Sequence, residues 1–173
     1  LIEEDTLSFF LDKMKIEATD SIIPGGRYHN RRDYMSFPNL GRFDLLYETI
    51  DPLPIPGLSL EGSILEKISE KDYLLNAPYQ SFSYLTKFLR EAALDPKVIS
   101  IKITLYRLAK NSQIISSLIN AAKNGKKVTV QIELQASFDE ASNISYAEQM
   151  QLEGIELIFG IKGLKVHSKI CVI

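Results

Sequence analysis

Between Ser81 and Leu94 the apolar residues Phe82, Leu85, Phe88, Leu89, Ala92 and Ala93 recur every three or four positions. That spacing predicts an amphipathic helix. Asp95-Pro96 stops it, because the residue before a proline is pushed out of the helical region. Val98–Leu105 (VISIKITL) then reads as a buried strand. Ser112–Lys123 reads as a second helix with Ile114, Ile115, Leu118, Ile119 and Ala122 on one side, closed by Asn124-Gly125. Lys127–Leu134 (KVTVQIEL) is a second strand, and Asp139–Glu153 a third helix stopped near Gly154. Ile155–Phe159 is a third strand, Gly160–Gly163 a turn, and Lys165–Ile173 (KVHSKICVI) a fourth strand.

Strands alternating with helices imply an α/β domain with a mixed, mainly parallel sheet flanked by helices. The first strands look apolar enough to need helices on both faces. The short link between the last two strands predicts an antiparallel neighbour pair.

The chain before Ser59 is less regular. Leu7-Ser8-Phe9-Phe10-Leu11 is apolar and suits either the end of a helix or the start of a strand. Pro24-Gly25-Gly26 is a turn, and Asp51–Gly57 (DPLPIPG) packs three prolines and a glycine together. Proline removes a backbone donor, so this stretch reads as a linker rather than a core element. A domain junction is therefore expected here, dividing the chain into 1–56 and 57–173. The chain opens on Leu1 and stops inside the apolar run that ends at Ile173, so it is expected to be an internal piece of a longer protein.

Composition changes this picture little. The 173 residues are 45% hydrophobic and 24% charged, as in ordinary globular domains. A formal net charge of -2 argues against a generally basic nucleic-acid binder, so nucleic acid is not an expected partner. The single cysteine, Cys171, allows no internal disulfide and suits a reducing, cytoplasmic setting. It lies among apolar residues, where packing is its expected role.

The sharpest chemical signal is His167-Ser168-Lys169. Residues two apart on a strand share a face, so an imidazole and an ammonium project together from an apolar strand. An imidazole can hold a phosphoryl group as a phosphoramidate, and an adjacent cation stabilises the charge on its oxygens. Arg107 and Lys110 follow the first strand, at the end of the sheet where α/β folds bind ligands. A guanidinium there can clamp phosphate oxygens. Asp139 and Glu140 either favour the N-terminus of the third helix or help to hold Mg²⁺. Arg27, His29, Asn30, Arg31 and Arg32 form either an anion path or a charged surface stretch. No GxxxxGK[ST] loop and no GxGxxG run occurs, which leaves P-loop and protein-kinase mechanisms without support.

Six segments carry a resemblance: GGRYHNRRDYMSFPN (Gly25–Asn39), LLNAPYQSF (Leu74–Phe82), IKITLYRLAKNSQII (Ile101–Ile115), NGKKVTVQIEL (Asn124–Leu134), FDEASNI (Phe138–Ile144) and GLKVHSKICVI (Gly163–Ile173). In this order they resemble bacterial polyphosphate kinase of the histidine-phosphorylating type. That resemblance implies reversible transfer of the ATP γ-phosphate to inorganic polyphosphate through a phosphohistidine, with Mg²⁺ as cofactor. Residues 1–56 would be the end of a head domain with its linker. Residues 57–173 would be most of the first of two phospholipase-D-like domains. By the same resemblance His167 is the phosphorylated residue, Lys169 its companion, and Arg107 an arginine near the metal and the phosphates. Ser137 stands where the family usually carries a second phosphate-site arginine, which implies either a lower affinity for phosphate or Mg-ATP or compensation by Lys110 or Lys165.

The resemblance further implies a homo-oligomer when the protein is full-length, and a piece that is inactive alone. Whether the parent also associates peripherally with the inner membrane is left open. Two alternatives stand beside the kinase: a phospholipase-D-type phosphodiesterase, and a non-catalytic oligomerisation module.

Overall fold

Alternation along two strands sets the architecture. In SIKITL the residues Ile101, Ile103 and Leu105 are buried, and in KVTVQI the residues Val128, Val130 and Ile132 are buried, while Lys102, Thr104, Thr129 and Gln131 face the other way. The computed structural model describes residues 2–17, 20, 22, 25, 38, 40–109, 111–133, 140–161, 163–164 and 166–173. The basic cluster from Arg27 to Arg32, together with Lys110, Ser137, Asp139 and Lys165, lies outside them.

The chain divides into two compact units, Leu1–Tyr47 and Glu48–Ile173. In the first, helix α1 (Glu4–Lys13) carries Glu4 and Asp5 in its first turn and Lys13 in its last, charges that suit the helix dipole. The Leu7–Leu11 run lies inside this helix, and Phe9 and Phe10 meet edge to face. A single 3₁₀ turn follows at Phe43–Leu45.

The second unit holds α2 (Ile64–Glu70), α3 (Ser83–Leu94), β1 (Ser100–Leu105), α4 (Gln113–Lys123), β2 (Lys127–Ile132), α5 (Glu140–Leu152), β3 (Glu156–Phe159) and β4 (Cys171–Val172). The sheet order is β3-β2-β1-β4. β1 and β3 lie parallel to β2, in the registers Ile101↔Val128 and Val130↔Leu157, and β4 lies antiparallel to β1 through Ile103↔Cys171. The fold is thus the mixed, mainly parallel α/β arrangement that the alternation of elements implies.

Two expectations need correcting. β4 does not neighbour β3: the chain leaves β3, crosses β2 and joins the far side of β1. Side chains at the ends of the inner strands receive it on the way, Glu133 at Val166 and Thr104 at Ser168 and Ile170. Nor, among the described residues, do helices cover both faces. α3, α4 and α5 contribute Leu89, Ala92, Leu118, Ala121, Ala147 and Met150 to one core with the inward row of β1 and β2. Among the described residues the row of Lys102, Thr104, Thr129 and Gln131 lies outside that core. The strands therefore alternate as a half-covered sheet does.

α4 and α5 both end on glycine in the left-handed region, Gly125 at φ +79 and Gly154 at φ +77. There the Lys126 N–H donates to Ala121 O and the Ile155 N–H to Met150 O, which closes each last turn. Cys171 is half-buried, and burial pushes its thiol up to about 11, so it packs as a protonated, unreactive group.

The proline-rich run is not a free linker. Ile55 and Leu58 are buried with Ile64 and Tyr84, and the Ile55 N–H donates to Tyr84 Oη at 3.0 Å. α2, which no periodicity announced, is capped from a neighbour. Its own Ser63 Oγ accepts the Glu66 N–H, while Glu91 of α3 accepts from the Ile64 N–H at 2.7 Å and the Leu65 N–H at 3.1 Å. Burial opposes ionisation of Glu91, but those two amides, Lys87 and Ser63 outweigh it and hold the carboxyl below the usual range. A folded-state pKa below the unfolded one contributes stability that is present above the unfolded value and lost as pH falls through the folded value. Glu91→Gln is therefore expected to lower stability by about 1–2 kcal/mol at neutral pH. In urea unfolding, the gap from the parent chain should close as acid protonates Glu91.

Candidate functional site

The first residues past the β1–β2 ladder build the site. Tyr106 follows β1, and its ring is the place where the candidate side chains meet. The His167 imidazole lies edge to face against it, centroids 5.4 Å apart at 77°. Lys169 Nζ stands 4.9 Å from the ring centroid and Arg107 Cζ 5.8 Å from it. Cation–π contacts of this kind are worth about 0.5–1 kcal/mol at exposed positions. They orient the two cations more than they stabilise the fold.

His167, Lys169 and Arg107 are all exposed, whereas Val166 and Leu108 beside them are buried. Each reactive group thus extends outward from an anchored neighbour. Lys169 Nζ donates to the carbonyl oxygen of His167, which folds the ammonium back over its own strand. The imidazole and the ammonium share one side, as their spacing implies.

The strand that carries them is held unusually. Ladder pairing covers only Cys171 and Val172, not the whole of Lys165–Ile173. Upstream, the Thr104 backbone N–H donates to Ile170 O at 2.9 Å, and its hydroxyl extends the contact: Oγ1 donates to Ser168 O at 2.6 Å and accepts the Ile170 N–H at 2.9 Å. Further back, the Val166 N–H donates to Glu133 Oε2 at 3.0 Å. Glu133 follows β2, and its own N–H continues the parallel ladder to Leu105 O.

Asn143, fully buried on α5, joins the ends of β1 and β2. Its Nδ2 donates to Tyr106 O at 2.9 Å and to Glu133 O at 2.8 Å, and its buried Oδ1 has no hydrogen-bond partner among the described residues. A cavity of about 580 Å³ opens beside Arg107, bounded by Ser81, Thr86, Asn111 and Gln113.

Arg107 thus comes together with His167 and Lys169 around Tyr106. Glu140 opens α5 and is exposed. Among the described residues no group of three His, Cys, Asp or Glu side chains could cage a metal ion. Tyr106, Thr104, Glu133 and Asn143 escaped the sequence reading. Asn143 had a visible signal, since it falls on the buried stripe Asn143, Ala147, Met150, where an amide is out of place unless bonded.

Known proteins share this sequence and this fold. Residues 63–173 match the family described as polyphosphate kinase C-terminal domain 1. The polyphosphate kinase of Vibrio vulnificus (strain YJ016) is 46% identical over 170 residues, covering 98% of this chain and 24% of that protein. That of Escherichia coli (strain K12) is 44% identical over 169 residues, 94% of this chain and 24% of that protein. The crystal structure of polyphosphate kinase from Porphyromonas gingivalis superposes with a TM-score of 0.68 at 37% identity, over 99% of this chain and 26% of that one. The chain spans about a quarter of the length of the curated relatives it matches.

Proposed function

Since this chain belongs to the polyphosphate kinase family, we propose that within the full-length protein it supplies the phosphoryl-accepting part of an ATP:polyphosphate phosphotransferase. The convergence of His167, Lys169 and Arg107 on the Tyr106 ring carries this reading. A neutral imidazole nitrogen attacks the γ-phosphorus of ATP, a phosphorus–nitrogen bond forms, the bond to the β-phosphate bridge oxygen breaks, and ADP leaves. A terminal oxygen of polyphosphate then attacks the same phosphorus. The chain grows by one phosphate and the imidazole is released, and every step is reversible.

Phosphoryl transfer asks the protein mainly for position and charge. Lys169 and Arg107 neutralise charge developing on the transferred group, and the fork of Arg107 suits two phosphate oxygens at once. For Lys169 to do so, its ammonium exchanges the His167 carbonyl for phosphate oxygens, a rotation within its own side chain.

Mg²⁺ generally binds through one or two carboxylates together with substrate phosphates. In this reading Mg²⁺ would arrive with the substrate phosphates beside Arg107 and would supply further neutralisation of their charge. Lys110, three residues after Arg107 in the sequence, is a second candidate phosphate contact, and Ser137 a position short of a charge. Residues 57–173 correspond to the first phospholipase-D-like domain and 1–56 to the end of a head domain, with Ile55 and Leu58 fastening the junction segment to the catalytic unit. The full-length protein is cytoplasmic and homo-oligomeric in this reading. No described helix is long and apolar enough to cross a membrane.

The deciding experiment is labelling of the full-length protein with γ-³²P ATP and Mg²⁺, followed by peptide mapping. Acid-labile, alkali-stable label on the peptide containing His167 is expected. Label on another peptide would remove this assignment.

A further inference from the structure

We infer that Glu133 and Asn143 are positioning residues for phosphoryl transfer: a buried bracket that holds the strand bearing His167 and the segment bearing Arg107 in one frame. The inference rests on the kinase reading above. Neither residue touches the proposed phosphates, and neither belongs to the set of cations around Tyr106.

Three backbone positions are joined by these two side chains, and two of them lie next to a working part of the site. Asn143 binds the carbonyl of Tyr106, immediately before Arg107, and the carbonyl of Glu133. Glu133 binds the amide of Val166, immediately before His167. Through them β1, β2, α5 and the crossing strand meet within one chain of hydrogen bonds.

Sheet pairing does not do this job. Ladder pairing of the crossing strand covers Cys171 and Val172, and a backbone bond from the Thr104 N–H reaches Ile170 O at 2.9 Å, three residues past His167. The backbone of His167 is fixed instead on both flanks by side chains, Glu133 at Val166 and Thr104 at Ser168. A ladder would set its register by backbone alone, whereas here the location of the imidazole depends on a carboxylate oxygen at 3.0 Å.

The cost of the bracket supports a role beyond packing. Glu133 is 7% exposed and Asn143 0%, and Asn143 Oδ1 has no partner among the described residues. Burying an amide oxygen that has no partner among the described residues is unfavourable. Asn143 can bridge two carbonyls because a primary amide carries two donors, and an aspartate of the same shape carries none when ionised.

The test uses the full-length enzyme with Glu133→Gln, Glu133→Met and Asn143→Asp. Three quantities are read: the single-turnover rate of phosphohistidine formation at saturating ATP, KM for ATP, and hydrogen exchange of the Val166 amide. Gln keeps an acceptor at the Val166 N–H and should stay near wild type in all three. Met removes the acceptor. It should speed exchange at Val166 and slow transfer by about 10–100-fold with little change in KM, because a misplacement of about 1 Å can cost ~100-fold. Asn143→Asp should behave like Met, and if it does not fold, the Glu133 pair decides.

Wild-type transfer in Glu133→Met alongside fast exchange at Val166 would overturn the inference. So would a Gln variant as slow as Met, which would assign the effect to charge rather than to the hydrogen bond. Failure of the wild-type enzyme to label His167 would count against the kinase reading instead, and exchange at Val166 would then judge the bracket alone.

Discussion

His167→Ala in the full-length protein is expected to abolish phosphoprotein formation and to lower ATP-dependent polyphosphate synthesis by at least about 10⁴-fold, the scale seen when a covalent nucleophile is removed. Folding should be nearly unaffected. His167 is exposed, and surface substitutions away from special features usually change stability by no more than about 0.5 kcal/mol. Its loss removes an edge contact with Tyr106 but leaves the bonds at Val166 and Ser168 in place. Synthesis assays run beside thermal unfolding separate the two effects. A variant that melts like wild type and still incorporates label would place the nucleophile elsewhere.

Arg107→Ala should reduce the same activity by about 10²–10³-fold, the usual loss when one preorganised stabiliser of transition-state charge is removed. Arg107→Lys restores charge without the planar fork, so it should recover only part of that loss. The pattern between kcat and KM is informative. If the guanidinium acts chiefly on the transferred group in the transition state, kcat falls more than KM for ATP rises. A pure rise in KM would instead make Arg107 an anchor for bound nucleotide. An unchanged rate in Arg107→Ala would remove it from the site.

Much of the fold was legible because its alternation is clean. Ile101, Ile103 and Leu105 against Lys102 and Thr104, and Val128, Val130 and Ile132 against Thr129 and Gln131, mark two inner strands with one face toward a core. Reading those runs as uniformly apolar led to helices on both faces, although Lys102 and Thr104 already carried the opposite signal. Gly125 and Gly154 mark where two helices stop, because a left-handed residue is needed there.

The partner of the last strand was not legible. Its short link to β3 suggests a hairpin, and only tertiary side chains, Glu133 and Thr104, direct it across the sheet. α2 was missed for a similar reason, since Glu91 caps it from another helix. In the candidate site, His167, Lys169 and Arg107 could be read from residue type and spacing. Tyr106 could not, because an aromatic at a strand end looks like any core residue until the cations are seen around it.

The fastening of the reactive strand by distant side chains also sets an order of assembly. Thr104 and Ser168 are 64 residues apart, and Glu133 and Val166 are 33 apart. As the chain is synthesised, β1, α4, β2, α5 and β3 are all made before the segment containing His167. Closing loops of this length is favourable only once the partners at both ends have been ordered. The histidine therefore reaches its place on a sheet that already exists. A chain that stalls earlier leaves Tyr106 and Arg107 without His167 beside them.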